Sequence, residues 1–373
     1  MGARTIDEIS AHIARVSDRL DALAEAAECN GCATGDLVDV MRELRVPLVK
    51  APVEVGGDML GLVDQFRFFD ELAYWNPTAA WTGFNHAGAS GISGARLSGE
   101  GLATVFPLGA VPFMAAVAAP TGTHVRTGDG IELTGTWHYA SGVTHAEWVL
   151  LVSLPVDGKG MPLAAAVRAA DLRVSGTWDV MALKGTGSLT VSCDALPVPE
   201  SLTYSPVGEP LRGGPMFSMP YQGYVAPENL GFTMGVTRRF LDETARYAHT
   251  KSRGPAGPLV DRGAFQYELG RAVMQVEAAR GFCRDAFRTA DEKLALDGFG
   301  GDDNEYLAGV IASATELVVQ AAVRLFHFGG AGALFNENIL QRCFRDIVGS
   351  GQHLVASNAV FDAIGRRTLA QYA

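Results

Sequence analysis

The hydrophobic periodicity of this chain changes twice, and that pattern constrains the fold more than any other feature. From Ile6 to Leu23, apolar residues recur at alternating steps of three and four, as in an amphipathic helix. After Pro112, β-prone segments such as Ile131 to Trp137 alternate with turn-forming sequences. Beyond the Pro- and Gly-rich stretch 197–220, helical periodicity returns in three long pieces. The chain is therefore predicted to contain a helical domain, a β domain and a helical bundle.

The changes in periodicity also predict the domain boundaries. Residues 1–112 form an N-terminal helical domain, 113–210 a small antiparallel β domain, and 211–373 a C-terminal helical bundle. One helical stretch, residues 304–327, is apolar on nearly every side, as expected of a bundle centre or a subunit interface. The predicted fold class is mainly α with a central β domain.

The charge and the cysteine content of the sequence argue against several classes of partner and cellular location. The 373 residues carry a net charge of -11, with Asp and Glu spread along the chain and no basic stripe, so we expect neither nucleic acid nor membrane as a partner. Asp7 and Glu8 lie where a secretory signal would need an apolar core, which predicts a cytoplasmic protein. The five cysteines indicate reduced thiols, and Cys29 and Cys32 are interpreted as turn residues.

Familiar nucleotide and metal motifs do not fit the sequence. The Gly-rich segment 328–333 follows a long apolar helix, whereas a dinucleotide fingerprint must follow a strand. The spacing of a Walker motif and a G-x-S-x-G elbow are both missing, and the eight histidines form no H-E-x-x-H pattern. No metal site is predicted.

Three motifs, taken in order, resemble those of acyl-CoA dehydrogenase-like proteins. Gly135–Trp148 resembles their flavin-facing strand and loop, and Trp178–Ser188 resembles the run that closes the same β domain. Phe328–Gly332, followed by Gln341-Arg342 and Arg345-Asp346, resembles the last bundle helices. The resemblance covers nearly the whole chain. It implies the acyl-CoA dehydrogenase-like fold, with an antiparallel β-barrel or sandwich between the helical domain and a C-terminal four-helix bundle.

The stretch after Arg345-Asp346 indicates one branch of that superfamily. Many acyl-CoA dehydrogenases carry a glutamate base there, but residues 347–354 contain no carboxylate and include His353. This pattern, together with the Trp81–His86 segment, resembles the flavin-dependent monooxygenase branch of class D, two-component oxygenases. That branch contains the 4-hydroxyphenylacetate, dibenzothiophene and steroid-phenol hydroxylases and amino-sugar N-oxygenases.

The resemblance implies an oxygenase component that receives reduced FMN or FAD from a separate NAD(P)H:flavin reductase. Through a C4a-hydroperoxyflavin formed with O2, it would hydroxylate a small aromatic or polycyclic substrate or N-oxidise an amine. The catalytic candidates are His86, Ser141 and His353. A hydroxyl at Ser141 would oppose loss of the proton on flavin N5, and a histidine can polarise the peroxide or take a substrate proton. A homotetramer is expected.

The resemblance also suggests contact residues, each of which has a packing role as its alternative. The candidate flavin contacts are Trp137, Ser141, Thr186, Ser188, Arg253, Gly329 and Gly330. Phe217, Met219 and Tyr221 lie in an aromatic loop and are candidate substrate contacts. Lys184 replaces the arginine that is usual in its motif.

Two other functions stay open. The first is an acyl-CoA dehydrogenase or oxidase that acts on a thioester, with Glu228 or Glu268 as its base. The second is a catalytically inactive flavin-binding or scaffold protein that retains the fold. Loss of flavin affinity would distinguish such a scaffold.

Overall fold

A computed structural model describes residues 2–252 and 257–372, so the predicted flavin contact Arg253 lies outside the described residues. The helices of this part of the chain are α1 (Ile6–Asn30), α2 (Gly35–Glu43), α3 (Leu62–Trp75), α4 (Pro77–Arg96), α5 (Gly99–Val105), α6 (Tyr221–Thr250), α7 (Gly263–Ala295), α8 (Gly301–Phe326), α9 (Ile339–Ser350) and α10 (Val360–Ala370). Its strands are β1 (Met114–Arg126), β2 (Gly130–Ala140), β3 (Trp148–Pro155), β4 (Leu163–Arg168), β5 (Arg173–Ser175), β6 (Leu189–Pro199) and β7 (Thr203–Tyr204).

The chain divides into two compact units, each assembled from several segments. The first comprises Met1–Gly61, Thr78–Val180 and Lys184–Met219, and it includes every named strand. The second comprises Leu62–Pro77, Met181–Leu183 and Pro220–Ala373, and it brings α3 together with the later helices.

Local sequence signals set the limits of α1. Thr5 and Glu8 form a capping box at its start, which satisfies main-chain N–H groups that have no partner within the helix. The helix ends at Gly31, which adopts a left-handed conformation with φ 69°. Its buried face includes Ile9, Ile13 and other residues of the predicted apolar stripe. The amphipathic helix predicted from periodicity is thus present.

The β region is one seven-stranded sheet with the order β5-β6-β2-β1-β3-β4-β7. The prediction that its strands are antiparallel needs one correction, because β1 and β3 pair in parallel, with Met114 opposite Trp148. The physical reason is the connection 141–147. It carries the chain from the end of β2 past the first residue of β1, where the N–H groups of Glu147 and Trp148 both donate to the Phe113 carbonyl. The next strand therefore runs in the direction of β1.

In the second unit, α6 lies close against α3 because small residues on α6 allow a near approach. A Cβ atom added at Gly235 would lie 2.2 Å from the Asp70 carbonyl oxygen. The carboxylate of Asp70 also receives hydrogen bonds from Arg238 on α6 at 3.0 Å and from Arg280 on α7 at 2.7 Å. Close packing of the backbones joins α3 to α6, and the ion pairs of the Asp70 carboxylate join α3 to both α6 and α7.

Helix α8 has the buried character predicted for a bundle-centre helix. Among the described residues, Gly301–Phe326 is the helix whose length and mean hydropathy would let it cross a membrane, and 61% of its most apolar window is buried inside the protein. Its buried positions are mostly small or aliphatic residues that pack in the bundle.

Candidate active site

The first unit contains a pair of histidine side chains in direct contact. His86 is fully buried on α4, and its Nε2 atom lies 2.9 Å from Nε2 of His145 in the loop between β2 and β3. The ring of Phe113 lies edge-on to both imidazoles. Gly142 lies against the same pair, because a Cβ atom there would stand 2.7 Å from His86 Nε2. The loop therefore needs glycine at this position to let the two imidazoles meet.

Both imidazoles are held in their neutral form. Burial, and then the neighbouring His145, lower the pKa of His86 well below its usual value. Burial, and then the Arg42 guanidinium, lower the pKa of His145 to about 4. The main chain at Met114 opposes the shift of His86, but its geometry falls short of a hydrogen bond to Nδ1. At neutral pH the pair carries no charge.

A row of three buried hydroxyl groups lies in the same loop region. The oxygen of Ser188 is 2.7 Å from the oxygen of Ser141 and 2.7 Å from that of Thr186. Three hydroxyls carry three protons, and two hydrogen bonds use two of them. One hydroxyl proton is therefore left for a ligand, whichever way the row is oriented.

Main-chain contacts hold the hydroxyl row and the histidine pair in one place. The N–H of Gly142 donates to the Thr186 carbonyl at 2.9 Å, so the loop that follows β2 is fixed to the segment that precedes β6. Ser141 and Gly142 are adjacent in the chain, with the first in the hydroxyl row and the second against His86. The structure thus brings together four predicted site residues: His86, Ser141, Thr186 and Ser188.

Trp137 lies elsewhere, in the core of the sheet. Its side chain is fully buried, and its indole N–H donates to the Val152 carbonyl at 2.8 Å. Gly122 and Gly135 leave room for the ring, since a Cβ atom at either position would collide with it. The alternation of β2 points this residue inward, so the structure favours the packing alternative over a flavin contact.

Two of the candidate substrate contacts are buried in the first unit. Phe217 is fully buried beside Gly213, and its carbonyl accepts a hydrogen bond from Arg96 at 2.7 Å. Met219 is 9% exposed. For Phe217, these contacts agree with the core-packing alternative.

His353 belongs to the second unit, in the segment after α9. Its main-chain N–H donates to the Ser350 carbonyl, and its Nδ1 atom accepts from the N–H of Val355 at 3.4 Å. Burial lowers the pKa of His353 to about 4. The imidazole is therefore neutral at physiological pH.

Three further candidates also lie in the second unit. Gly329 packs against Ala333, and its carbonyl accepts from the Tyr247 hydroxyl at 2.9 Å. Gly330 has φ 61°, a left-handed conformation that glycine adopts without strain. Tyr221 is 38% exposed as a whole, but burial around its hydroxyl, followed by the Glu228 carboxylate, raises its pKa to about 12. The two glycines thus have structural roles whether or not they also contact a flavin.

The thioester alternative named two carboxylates, and both have constrained surroundings. Glu268 is paired with Arg324 and lies 3.8 Å from Arg271, so its carboxylate has two guanidinium neighbours. Glu228 is fully buried on α6. Within the residues that the structure describes, no group of three or more His, Cys, Asp or Glu side chains is placed to hold a metal ion.

The sequence motifs did not indicate that His145 contacts His86. Its signal is the spacing from Gly142, because a tight turn over Val143–His145 returns the third residue towards the glycine. That turn is short, and only the tertiary structure shows that α4 places His86 beside it.

Comparisons with known proteins support the resemblance inferred from the three motifs. Residues 231–358 match the family described as acyl-CoA dehydrogenase, C-terminal domain. XiaF from a Streptomyces species, solved in complex with FADH2 and glycerol, has a TM-score of 0.89 at 23% identity, covering 98% of this chain and 96% of that one. The chain has the acyl-CoA dehydrogenase fold. The fold predicted from the sequence is therefore confirmed.

Two curated relatives extend the similarity beyond the acyl-CoA dehydrogenase fold itself. The indole-3-acetate monooxygenase of Pseudomonas putida is 24% identical over 88% of this chain and 85% of its own length. The oxygenase component of an FADH2-dependent resorcinol hydroxylase from a Rhizobium species is 27% identical over 63% of this chain and 62% of its own length. The predicted resemblance to flavin-dependent monooxygenases is confirmed at this level.

A flavin suits the groups that the first unit presents. The isoalloxazine ring has polar edges that need hydrogen bonds, and the buried row at Ser141 retains one free hydroxyl proton. Tyr139, next to that row, is 71% exposed and lies 6.3 Å from the Trp178 ring, which leaves aromatic surface for stacking. Ser141, Ser188 and Thr186 are therefore the residues that would hold the polar edge of the ring.

Proposed function

We propose that this protein is the oxygenase component of a two-component flavin-dependent monooxygenase. It would take reduced flavin from a separate NAD(P)H:flavin reductase, use O2, and hydroxylate a small aromatic substrate. The observation that carries the proposal is the buried hydroxyl row of Ser141, Ser188 and Thr186, joined through Gly142 to a neutral histidine pair. The similarity to named monooxygenases supports the reaction class.

Each candidate residue has a distinct task in this proposal. Bound reduced flavin supplies the electrons for oxygen activation. The Ser141 hydroxyl holds a proton at the polar edge of the ring, and its near-complete burial keeps bulk water from exchanging that proton. Neutral imidazoles at His86 and His353 can accept a proton, because neither is charged at physiological pH.

The relatives narrow the choice of substrate and cofactor. Both relatives described above have aromatic compounds in their names, indole-3-acetate and resorcinol, which favours ring hydroxylation over oxidation of an aliphatic amine. FADH2 appears in the name of one relative and in the XiaF complex, which supports a reduced flavin, FMN or FAD, as the cofactor. The homotetramer and the cytoplasmic location remain part of the proposal.

The first experiment is rapid mixing of the purified protein, loaded anaerobically with reduced FAD, against oxygenated buffer. We expect a transient absorbance spectrum that differs from those of both reduced and oxidised flavin. In Ser141→Ala this transient should disappear on the order of ten to a hundred times faster, which corresponds to about 1.4 to 2.7 kcal/mol lost from one buried hydrogen bond.

Ser153→Ala is the matched control. Ser153 is fully buried on β3, and its hydroxyl is 2.9 Å from His124 instead of belonging to the row. This variant also loses a buried hydroxyl, but it should keep the wild-type transient. Direct return of oxidised flavin without a transient in the wild type would contradict the proposal, and thioester substrates with an electron acceptor would then be tested.

A further inference from the structure

The histidine pair has a property that its separate residues lack. Two neutral imidazoles carry two ring protons on four ring nitrogens, and one of these protons must lie between the facing Nε2 atoms of His86 and His145 at 2.9 Å. The other proton must then lie on the Nδ1 atom of whichever imidazole accepts the bridging hydrogen bond. The pair therefore has two arrangements that differ only in where these protons lie.

The outer nitrogens of the pair lie in different surroundings. Nδ1 of His86 is buried and makes no hydrogen bond to the described residues. Nδ1 of His145 lies 3.5 Å from the hydroxyl of Thr144, an exposed residue. A buried nitrogen is thus connected through two rings to the edge of the loop.

We propose that His86 and His145 form a proton relay, in which His145 is the positioning residue that sets the tautomer of His86 and passes its proton towards solvent. When His86 donates the bridging proton, its Nδ1 atom is bare and can take up a proton. The bridging proton then moves to Nε2 of His145, and the proton on Nδ1 of His145 leaves towards Thr144. Two N–H bonds form, two break, and no charge stays on the pair.

The surroundings of the pair favour transfer of a proton through it and disfavour a protonated, charged imidazole. Arg42 on α2 lies over the Phe113 ring at 4.7 Å, and its guanidinium also donates to the Glu147 carboxylate at 3.1 Å. The Glu147 carboxylate is thus paired with Arg42. Burial disfavours an imidazolium at both positions, and the neighbouring His145 adds to this effect at His86 as the Arg42 guanidinium does at His145. Among the described residues, no carboxylate is hydrogen-bonded to either ring.

The first test measures the hydrogen bond in flavin-free protein labelled with ¹⁵N-histidine, and it does not depend on the proposed function. We expect a scalar coupling between the Nε2 nuclei of His86 and His145 that persists from neutral to mildly acidic pH. His145→Gln should abolish it, while His138→Gln should leave it intact, because His138 is an exposed residue paired with Thr190. A His86 signal that titrates like a free histidine would overturn the relay.

The second test asks whether the pair passes protons, and it rests on the proposed function. Run in reverse, the relay carries a proton from solvent to His86, and the reaction of reduced flavin with oxygen takes up a proton. His145→Ala loaded with reduced FAD should therefore react with oxygen on the order of a hundredfold more slowly than the wild type. Added imidazole, which has two exchangeable nitrogens, should restore the rate, but 1-methylimidazole should not. His138→Ala should react like the wild type.

The outcomes separate the relay from the function. An unchanged rate in His145→Ala, equal rescue by both compounds, or no rescue by imidazole would each contradict the relay. If wild-type protein fails to form any transient with oxygen, the proposed function fails instead, and the coupling between the two nitrogen nuclei still decides the state of the pair.

Discussion

At the scale of single residues, the site and its surroundings depend on glycines at positions where a side chain would not fit. Gly142 allows the histidine pair to form, Gly122 and Gly135 make room for Trp137, and Gly213 makes room for Phe217. In each case a Cβ atom would overlap a buried ring. The arrangement of the first unit therefore depends on close contact between the backbone and buried rings as well as on the identity of the polar groups.

Gly142→Ala tests this limit directly. The new Cβ would lie 2.7 Å from His86 Nε2, and the residue would keep φ 77°, so we expect a loss of about 2 to 4 kcal/mol in the free energy of unfolding. Gly158→Ala is the control, because Gly158 has φ 67° and open space around it. It should lose only about 1 to 2 kcal/mol. Urea unfolding measures both values, and equal losses would mean that crowding at His86 is unimportant.

At the scale of helices and strands, much of the fold could be predicted from periodicity. The apolar stripe of α1 and the apolar surface of α8 are both present as predicted. The direction of β3 was not predictable, because alternation gives a strand its faces but not its neighbour. The pairing of α3 with α6 also leaves no local signal, since it depends on glycines that meet a backbone far away in the sequence.

Gly235→Ala is the corresponding test on a helix. Alanine is intrinsically favoured in helices, but its Cβ at this position would lie 2.2 Å from the Asp70 carbonyl, so we expect a net loss of about 1 to 3 kcal/mol in stability. Gly270→Ala on α7 has no atom within 4 Å and should instead gain up to about 1 kcal/mol. Thermal unfolding should move the two variants in opposite directions. A stabilised Gly235→Ala would refute the close packing of α3 and α6.

In the site, too, residues within local motifs could be predicted from the sequence, whereas contacts between distant segments could not. Ser141, Thr186 and Ser188 come from two motifs that are recognisable in the sequence, and the structure brings them to hydrogen-bonding distance. His86 was predicted, but its partner His145 was not, because the contact joins α4 to a loop 59 residues away. Trp137 belongs to a recognised motif and still turns into the core.

At the scale of the whole molecule, buried neutral histidines couple stability to pH. The pKa of His353 falls from 6.5 in the unfolded chain to about 4 in the folded protein. Between these values the unfolded state binds more protons, so the free energy of unfolding decreases as pH falls through this window, by up to about 1.4 kcal/mol per pH unit. Above pH 6.5, His353 is neutral in both the folded and the unfolded state, so this loss of stability is absent.

His353→Gln isolates this contribution from that of the acidic residues. The variant should lose stability less steeply than the wild type when urea unfolding is repeated at several pH values between 6.5 and 4. His249→Gln replaces an exposed histidine and should follow the wild type. Parallel curves for wild type and His353→Gln would show that burial does not shift the pKa of His353 as described.

The connection that reverses the expected direction of β3 has a consequence for how proteins with this architecture can diverge. Residues 141–147 carry the chain past β1, and the same seven positions supply a hydroxyl, a glycine and an imidazole of the site. Surface loops usually vary through insertions and deletions. Here a change of length would alter strand pairing and chemistry at once. We therefore expect this segment to vary by substitution, and insertions or deletions to occur in other parts of the chain.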